Sequence, residues 1–324
     1  MTARVRRLLF PFLILTLTLL TVQFAQAQNA PTKEPHTVRL SDAASLQFYL
    51  RWTPDRPPLI SAHRGGPEAG YPENCLETFD HVLNYAPCII ELDVALTADS
   101  MLVLMHDDTL GRTMPGKGRV TDVYFDDFRS RYLIDPKGDT TDFHSPTLGE
   151  VLDWARGKAV LTVDIKRGVP PERIVGTINE HNAKGYAVVI TYNANQAVTY
   201  HKLDPELMLS VGIRSEEDLK RLTDAGIPPN NMIAFVGVTE PDKALYELLH
   251  GKGIRCIVGT MGNLDRSASA KGLRIYEDLY RHGADVLSTD NVPAVAKAIY
   301  ELKNPPKAKP KTKTTKKSSM KKKK

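Results

Sequence analysis

The sequence is poor in cysteine, with only three among 324 residues. An odd number cannot pair completely within one chain, so no disulfide framework is expected to hold the fold together. Cys75 and Cys88 flank the segment NCLETFDHVLNYA, which is predicted to be helical, and a helix of that length holds its ends too far apart for a bridge. Cys256 lies in an apolar run and is predicted to be a core residue.

The body of the chain also lacks an excess of positive charge. The formal net charge of +5 comes from the termini, because the last twenty residues hold ten lysines and no acid, and three arginines lie near the start. Without those thirteen charges the chain carries −8, which argues against nucleic-acid binding by the folded part. Residues 304–324 cannot bury enough apolar surface to order themselves and are predicted to be a disordered lysine-rich tail. The tail is expected to be solvated, with electrostatic association to an anionic surface as the alternative.

Long hydrophobic runs are missing except near the start, from Leu8 to Leu20. Basic residues precede this run, and the small-residue motif AQA follows it at residues 25–27. This pattern predicts a cleavable signal peptide over residues 1–27 and a secreted or periplasmic protein, with an uncleaved membrane anchor as the alternative. Residues 28–55 are then an N-terminal extension.

Short apolar runs alternate with amphipathic stretches through most of the remaining chain. Eight runs are rich in Val, Ile and Leu: PLISAH, CIIELDV, AVLTVDI, AVVIT, LMLSV, MIAFV, IRCIV and ADVLST. Eight strands, each followed by a helix, predict an α/β fold of the (β/α)₈ TIM barrel type over residues 56–303. A ninth run, MLVLMHD, follows CIIELDV too closely for a parallel crossover and is predicted to be an extra strand near the barrel mouth.

Polar residues stand at the ends of several of these runs, where a barrel gathers its catalytic groups. They are His63 and Arg64, Glu91 and Asp93, His106, and Asp164 and Lys166. Glu91 and Asp93 are two apart and share one face of their strand. Three buried carboxylates need compensation, either from the cations in an ionic cluster or from a bound divalent cation. An all-oxygen set favours one hard ion, Mg²⁺ or Ca²⁺.

The motifs HRG, PEN, ELDV, HDDTLGRT, DIK and STD, in this order between Leu59 and Ala298, resemble the glycerophosphodiester phosphodiesterase family. That family belongs to the same broad class as the phosphatidylinositol-specific phospholipases C. The resemblance implies metal-dependent hydrolysis of a small-molecule phosphodiester to an alcohol and sn-glycerol 3-phosphate, by histidine acid–base catalysis. Two alternatives remain at this point: a phospholipase-like lyase that stops at a cyclic phosphate, and a non-catalytic surface-binding barrel.

The resemblance also implies roles for eight residues. The catalytic pair would be His63 and His106, the metal ligands Glu91, Asp93 and Asp164, and the substrate-binding residues Arg64, Asn74 and Lys166. Asn74 also stands where a helix N-cap is expected, which is a competing role. Asp290 is predicted to contact a mouth loop or the ligand rather than to act in catalysis.

The sequence departs from the family pattern in three places. Asp164 stands where the family usually has Glu, and Cys75 stands where it usually has Thr. TYN at residues 191–193 and GTMGN at residues 259–263 replace the usual rim motifs. Because these rim positions shape the alcohol side of the site, the head-group preference is not predicted.

Overall fold

The computed structural model describes residues 35–305 of the chain. The predicted signal peptide and all but the first two residues of the predicted lysine-rich tail lie outside these residues, so both stay predictions. None of the helices between residues 35 and 305 is long and apolar enough to cross a bilayer.

Between residues 35 and 305, nine strands form one sheet that closes on itself. The strands are β1 (Leu59–Ala62), β2 (Cys88–Leu96), β3 (Leu102–Leu104), β4 (Val160–Ile165), β5 (Ala187–Thr191), β6 (Met208–Gly212), β7 (Met232–Gly237), β8 (Cys256–Gly259) and β9 (Val286–Thr289). Eight are parallel and run in the order β1-β2-β4-β5-β6-β7-β8-β9, with β9 pairing back onto β1. The predicted (β/α)₈ TIM barrel is confirmed.

Helices follow the barrel strands, as a parallel barrel requires. Within the described residues they are α1 (Ala43–Leu50), α2 (Leu76–Val82), α3 (Phe125–Arg129), α4 (Leu148–Ala155), α5 (Pro171–Glu180), α6 (Ala194–Leu203), α7 (Glu216–Asp224), α8 (Lys243–Gly251), α9 (Asn263–Lys271), α10 (Arg274–His282) and α11 (Val292–Lys303). Helix α1 precedes the barrel, and its Leu46 and Leu50 pack with Ile89, Val160 and Val188 in a separate apolar cluster. These strand residues lie near the amino ends of their strands, so α1 covers that end of the barrel.

Strand β2 shows how alternation assigns each side chain to a layer. Ile90 and Leu92 belong to the main core between the sheet and the helices. Ile89 belongs to the cluster under α1, and Glu91 and Asp93 share its face of the strand. The inward face of β2 therefore changes from apolar at its start to acidic near the mouth.

The predicted extra strand is confirmed as β3, which pairs antiparallel with the end of β2. The segment between β3 and α4 packs around its own apolar cluster, which includes Met105, Met114 and Phe128. The backbone N–H of Met105 donates to the carbonyl oxygen of Asp93 at 3.0 Å. This arrangement brings His106 to the mouth of the barrel.

The three cysteines are free thiols buried in the fold. Burial raises the pKa of Cys75 and of Cys88 to about 12, so neither is a ready thiolate at neutral pH. The prediction that no disulfide supports the fold is confirmed.

Candidate active site

A cavity of about 280 Å³ opens at the carboxyl ends of the barrel strands. Among the residues that line it are His63, Glu91, Asp93, His106, Asp164, Lys166, Tyr192, Arg214, Phe235 and Met261. Six of the eight predicted site residues are in this set. The other two, Arg64 and Asn74, lie beside or behind it.

The three predicted metal ligands come together on two neighbouring strands. Asp93 and Asp164 are paired in the parallel register of β2 and β4. One carboxylate oxygen from each of Glu91, Asp93 and Asp164 lies within 4.8 Å of the others. Burial of Glu91, together with the charge of Asp93, raises the pKa of Glu91 to about 8. A bound cation would offset the cost of keeping all three groups ionised.

Lys166 provides part of that compensation within the protein itself. Its Nζ lies 2.6 Å from Asp93 Oδ1 and 2.8 Å from Asp164 Oδ2. Burial disfavours its charge, but the two carboxylates outweigh that effect and raise the pKa of Lys166. The ion pairs of the alternative prediction are thus present, and they use the same acids that fit a hard cation. Because every donor is an oxygen, the set suits Mg²⁺ or Ca²⁺ better than a thiol-preferring metal.

A tight turn after β1 presents His63 and Arg64 to the site. Arg64 has φ of 52°, in the left-handed region, and its backbone N–H donates to Glu91 Oε2 at 2.6 Å. Gly65 follows with φ of 84°, and a Cβ there would lie 2.2 Å from the ring of Phe79. The glycine is required because no side chain fits between this turn and the ring.

Each of the two histidines is held by a carboxylate. His63 Nδ1 lies 2.7 Å from Asp290 Oδ1, and His106 Nδ1 lies 2.8 Å from Asp107 Oδ1. A carboxylate only accepts, so each Nδ1 donates and each Nε2 is left available to the cavity. Burial lowers the pKa of His63, but Asp290 and Glu91 outweigh burial and raise it above its ordinary value. The prediction for Asp290 missed this role, since it gave the residue a loop or ligand contact.

Asn74 does not cap helix α2, whose N-cap is Cys75 with no side-chain cap bond. Instead its Nδ2 donates to Asp93 Oδ2 at 2.7 Å, and its Oδ1 accepts from the backbone N–H of Asp93 at 2.9 Å. The expected N-cap role is therefore wrong. The left-handed φ of 57° turns the amide toward β2. Asn74 thus fixes Asp93, and a contact with substrate stays a prediction.

Two further residues that bond to carboxylates of the site were not predicted from the sequence. Tyr192 Oη donates to Asp164 Oδ1 at 2.8 Å. Arg112 donates to both Glu73 and Asp107, each at distances of 2.7 to 2.8 Å. Tyr192 lies in the motif TYN and Arg112 in the motif HDDTLGRT, but no periodicity of the sequence indicates which carboxylate either side chain contacts.

The remaining lining of the cavity mixes apolar and polar side chains. Ile190, Phe235, Ile257 and Met261 add apolar surface, whereas Ser210 and Arg214 add polar groups. The cavity therefore combines the acids and histidines with apolar surface that can contact the carbon atoms of a small ligand.

Buried acids, paired cations and two oriented imidazoles at the mouth of a (β/α)₈ barrel are the groups of an enzyme active site. The sequence model of the glycerophosphoryl diester phosphodiesterase family matches residues 63–229, about half of the chain. The chain belongs to this family and is a glycerophosphodiester phosphodiesterase.

Individual relatives agree with this assignment. A glycerophosphodiester phosphodiesterase of Bacillus altitudinis is 30% identical over 207 residues, which is 59% of this chain and 81% of the relative. The crystal structure of a glycerophosphoryl diester phosphodiesterase from Parabacteroides distasonis has a TM-score of 0.79 at 35% identity, covering 83% of this chain and 95% of that one. An Oleispira antarctica phosphodiesterase, in complex with the product sn-glycerol-3-phosphate, shares the fold with a TM-score of 0.59 at 19% identity, covering 75% of this chain and 97% of that one.

Proposed function

We propose that this enzyme hydrolyses glycerophosphodiesters to an alcohol and sn-glycerol 3-phosphate, using a divalent cation and histidine acid–base catalysis. The observation that carries the proposal is the lining of one cavity by His63, His106 and all three carboxylates. A relative of the same fold, from Oleispira antarctica, is in complex with that same product, which supports the choice of substrate class.

The first requirement is to neutralise the phosphate charge, which otherwise repels a nucleophile. Lys166 lines the cavity, and Arg64 lies next to His63 with its Nε buried and without a hydrogen-bond partner. These two cations bind the non-bridging oxygens and stabilise the charge that develops in the transition state.

Glu91, Asp93 and Asp164 hold one Mg²⁺ or Ca²⁺ ion. When bound, the ion supplies a further positive charge to the phosphate oxygens. Asn74 donates to one oxygen of Asp93, and Tyr192 donates to one oxygen of Asp164. These two metal ligands are therefore oriented before the ion binds. The hydroxyl of Tyr192 also supports the shorter Asp164, which stands where the family usually has Glu.

His63 and His106 act as the base and the acid. Each keeps Nε2 for the cavity because Nδ1 is bound to a carboxylate. One imidazole removes a proton from the nucleophile, which is either a glycerol hydroxyl or water, and the other protonates the leaving oxygen. The first nucleophile gives a cyclic phosphate that is then hydrolysed, and the second gives the product directly.

The test is an assay of the purified protein on glycerophosphocholine, glycerophosphoethanolamine and glycerophosphoinositol. Treatment with EDTA is expected to stop turnover, and added Mg²⁺ or Ca²⁺ to restore it. Activity that is indifferent to chelation would return the acids to the ionic-cluster interpretation. Phosphorus NMR of the products distinguishes the lyase alternative, since a persistent cyclic phosphate would support it.

Variants of the two histidines test the acid–base assignment. His63→Ala and His106→Ala are each expected to lower kcat by about 10²–10⁴-fold while the protein stays folded. His282→Ala is the matched control, because that exposed histidine pairs with Glu240 at the surface. Near wild-type turnover in either cavity variant would remove the assignment.

Secretion or export to the periplasm and surface association through the lysine tail are proposed from sequence alone. Sequencing of the mature N-terminus tests the first. Deletion of residues 306–324 tests the second, since unchanged turnover with lost surface association is the expected result. A deletion that leaves surface association intact would refute it.

A further inference from the structure

The guanidinium of Arg112 joins two carboxylates that serve different parts of the active site. Its Nε and Nη2 donate to Asp107 at 2.7 and 2.8 Å. Its Nη1 and Nη2 donate to Glu73, both at 2.8 Å. Asp107 in turn holds His106, and Glu73 contacts Arg64.

We propose that Arg112 is a positioning residue for the hydrolysis described above. It holds Asp107 behind His106, and it makes the shorter contacts with Glu73, so that Arg64 keeps donors for the substrate phosphate. This inference rests on the proposed function, because it assigns Arg112 to the two groups that would bind phosphate and move a proton.

Glu73 is shared unequally between the two arginines. Arg64 reaches it through Nη1 alone, at 3.1 and 3.3 Å, whereas Arg112 uses two nitrogens at 2.8 Å. Short bidentate contacts between ionised groups are the stronger ones. The Glu73 side chain is only 9% exposed, so solvent screens its charge little. Without Arg112, the strongest remaining partner of this carboxylate would be Arg64.

Arg64 has donors that this arrangement leaves unused. Its Nε is buried without a hydrogen-bond partner and lies 3.9 Å from Asp93 Oδ2, beyond hydrogen-bond distance. The Arg64 side chain as a whole is 18% exposed beside His63, and a phosphate oxygen bound there is a suitable acceptor for its guanidinium. Loss of Arg112 would thus set Glu73 in competition with the substrate for the same guanidinium.

The bonds from Arg112 to Asp107 support His106. The His106 side chain is 35% exposed, so packing alone does not fix its ring. Asp107 Oδ1 accepts from both His106 and Arg112, while Oδ2 accepts from Arg112 Nε. A planar guanidinium can bond both oxygens at once and hold the carboxylate in one orientation, which an ammonium cannot do.

The two halves predict separable kinetic effects in the Mg²⁺-saturated protein. Arg112→Gln is expected to raise KM about tenfold, to raise the inhibition constant of inorganic phosphate in parallel, and to lower kcat about tenfold. Arg112→Lys keeps the positive charge beside Glu73 but lacks the planar fork. In this variant KM and the inhibition constant of phosphate are expected to lie close to the wild-type values, while kcat stays low.

A second substitution separates competition for Arg64 from general structural damage. In the double variant Glu73→Gln with Arg112→Gln, the competing negative charge is gone. KM and the phosphate inhibition constant are expected to return to within about threefold of wild type, with kcat still reduced. Simple damage to the fold would instead accumulate, and the double variant would bind phosphate less well than Arg112→Gln.

Arg129→Gln is the matched control, because Arg129 is 41% exposed and makes two bonds of 2.8 and 2.9 Å to Glu150 away from the cavity. It is expected to leave kcat and KM unchanged. Kinetics of Arg112→Gln that match this control would overturn the proposal, as would a double variant with no recovery of phosphate affinity. A wild-type protein that hydrolyses no glycerophosphodiester would instead overturn the proposed function itself.

Discussion

His63 Nδ1 lies 2.7 Å from Asp290 Oδ1, although 227 residues separate them along the chain. His63 directly follows β1 and Asp290 directly follows β9, and these two strands are neighbours only because the barrel closes. The contact fixes the imidazole so that Nε2 is available to the cavity. It also raises the pKa of His63 against the opposing effect of burial.

Asp290→Asn is expected to lower the pKa of His63, because the amide keeps an acceptor but removes the negative charge that favours the imidazolium. The limb of the kcat/KM pH profile that reports His63 should move to lower pH by about one unit. If His63 is the base, this is the acidic limb, and if it is the acid, the basic limb. Asp153→Asn is the control, since Asp153 pairs with His181 at the surface in the same way, and an unshifted Asp290→Asn profile would contradict the prediction.

Tyr192→Phe removes the hydroxyl that donates to Asp164 while keeping the ring. The apparent dissociation constant for Mg²⁺ or Ca²⁺, measured by calorimetry, is expected to rise about tenfold, as for other outer contacts of metal ligands. Tyr300→Phe, a change at an exposed tyrosine of α11, should leave it unchanged. Equal affinities in the two variants would show that Asp164 needs no support from Tyr192.

Gly65→Ala is expected to destabilise the protein by about 3 kcal/mol, because the added Cβ both meets the Phe79 ring at 2.2 Å and disfavours the left-handed backbone. Gly70→Ala has a similar φ of 80° with nothing near its Cβ, so it isolates the backbone effect. Gly70→Ala should lower the free energy of unfolding by about 1 kcal/mol. Urea unfolding of the two variants measures the difference, and equal losses would exclude the steric contact.

The thiols offer a test of the packing around the barrel. With all three cysteines buried and free, a thiol reagent such as DTNB should react with none of them in the native protein. All three should react after denaturation, with or without prior reduction. Fast reaction of one thiol under native conditions would show that its surroundings open readily.

The strands and their order could be predicted because each one carries a local apolar signal, and the spacing of Glu91 and Asp93 indicates a shared face. The extra strand was also predictable, since the six residues before it are too few for a parallel crossover. Contacts such as Arg112 with Glu73, Tyr192 with Asp164, and His63 with Asp290 depend on side-chain reach across loops. No period in the sequence encodes such contacts. Asn74 shows the same limit, because its left-handed backbone turned an expected cap into a partner of Asp93.

The pairing of β9 with β1 has a consequence for synthesis of the polypeptide. A growing chain has both imidazoles and all three acids once Asp164 has been added, yet the ring cannot close until the final strand follows. Asp290 is added at the same late stage. A ribosome must therefore finish nearly the whole barrel before the emerging chain can acquire hydrolytic capacity, and prematurely terminated products are expected to be inert.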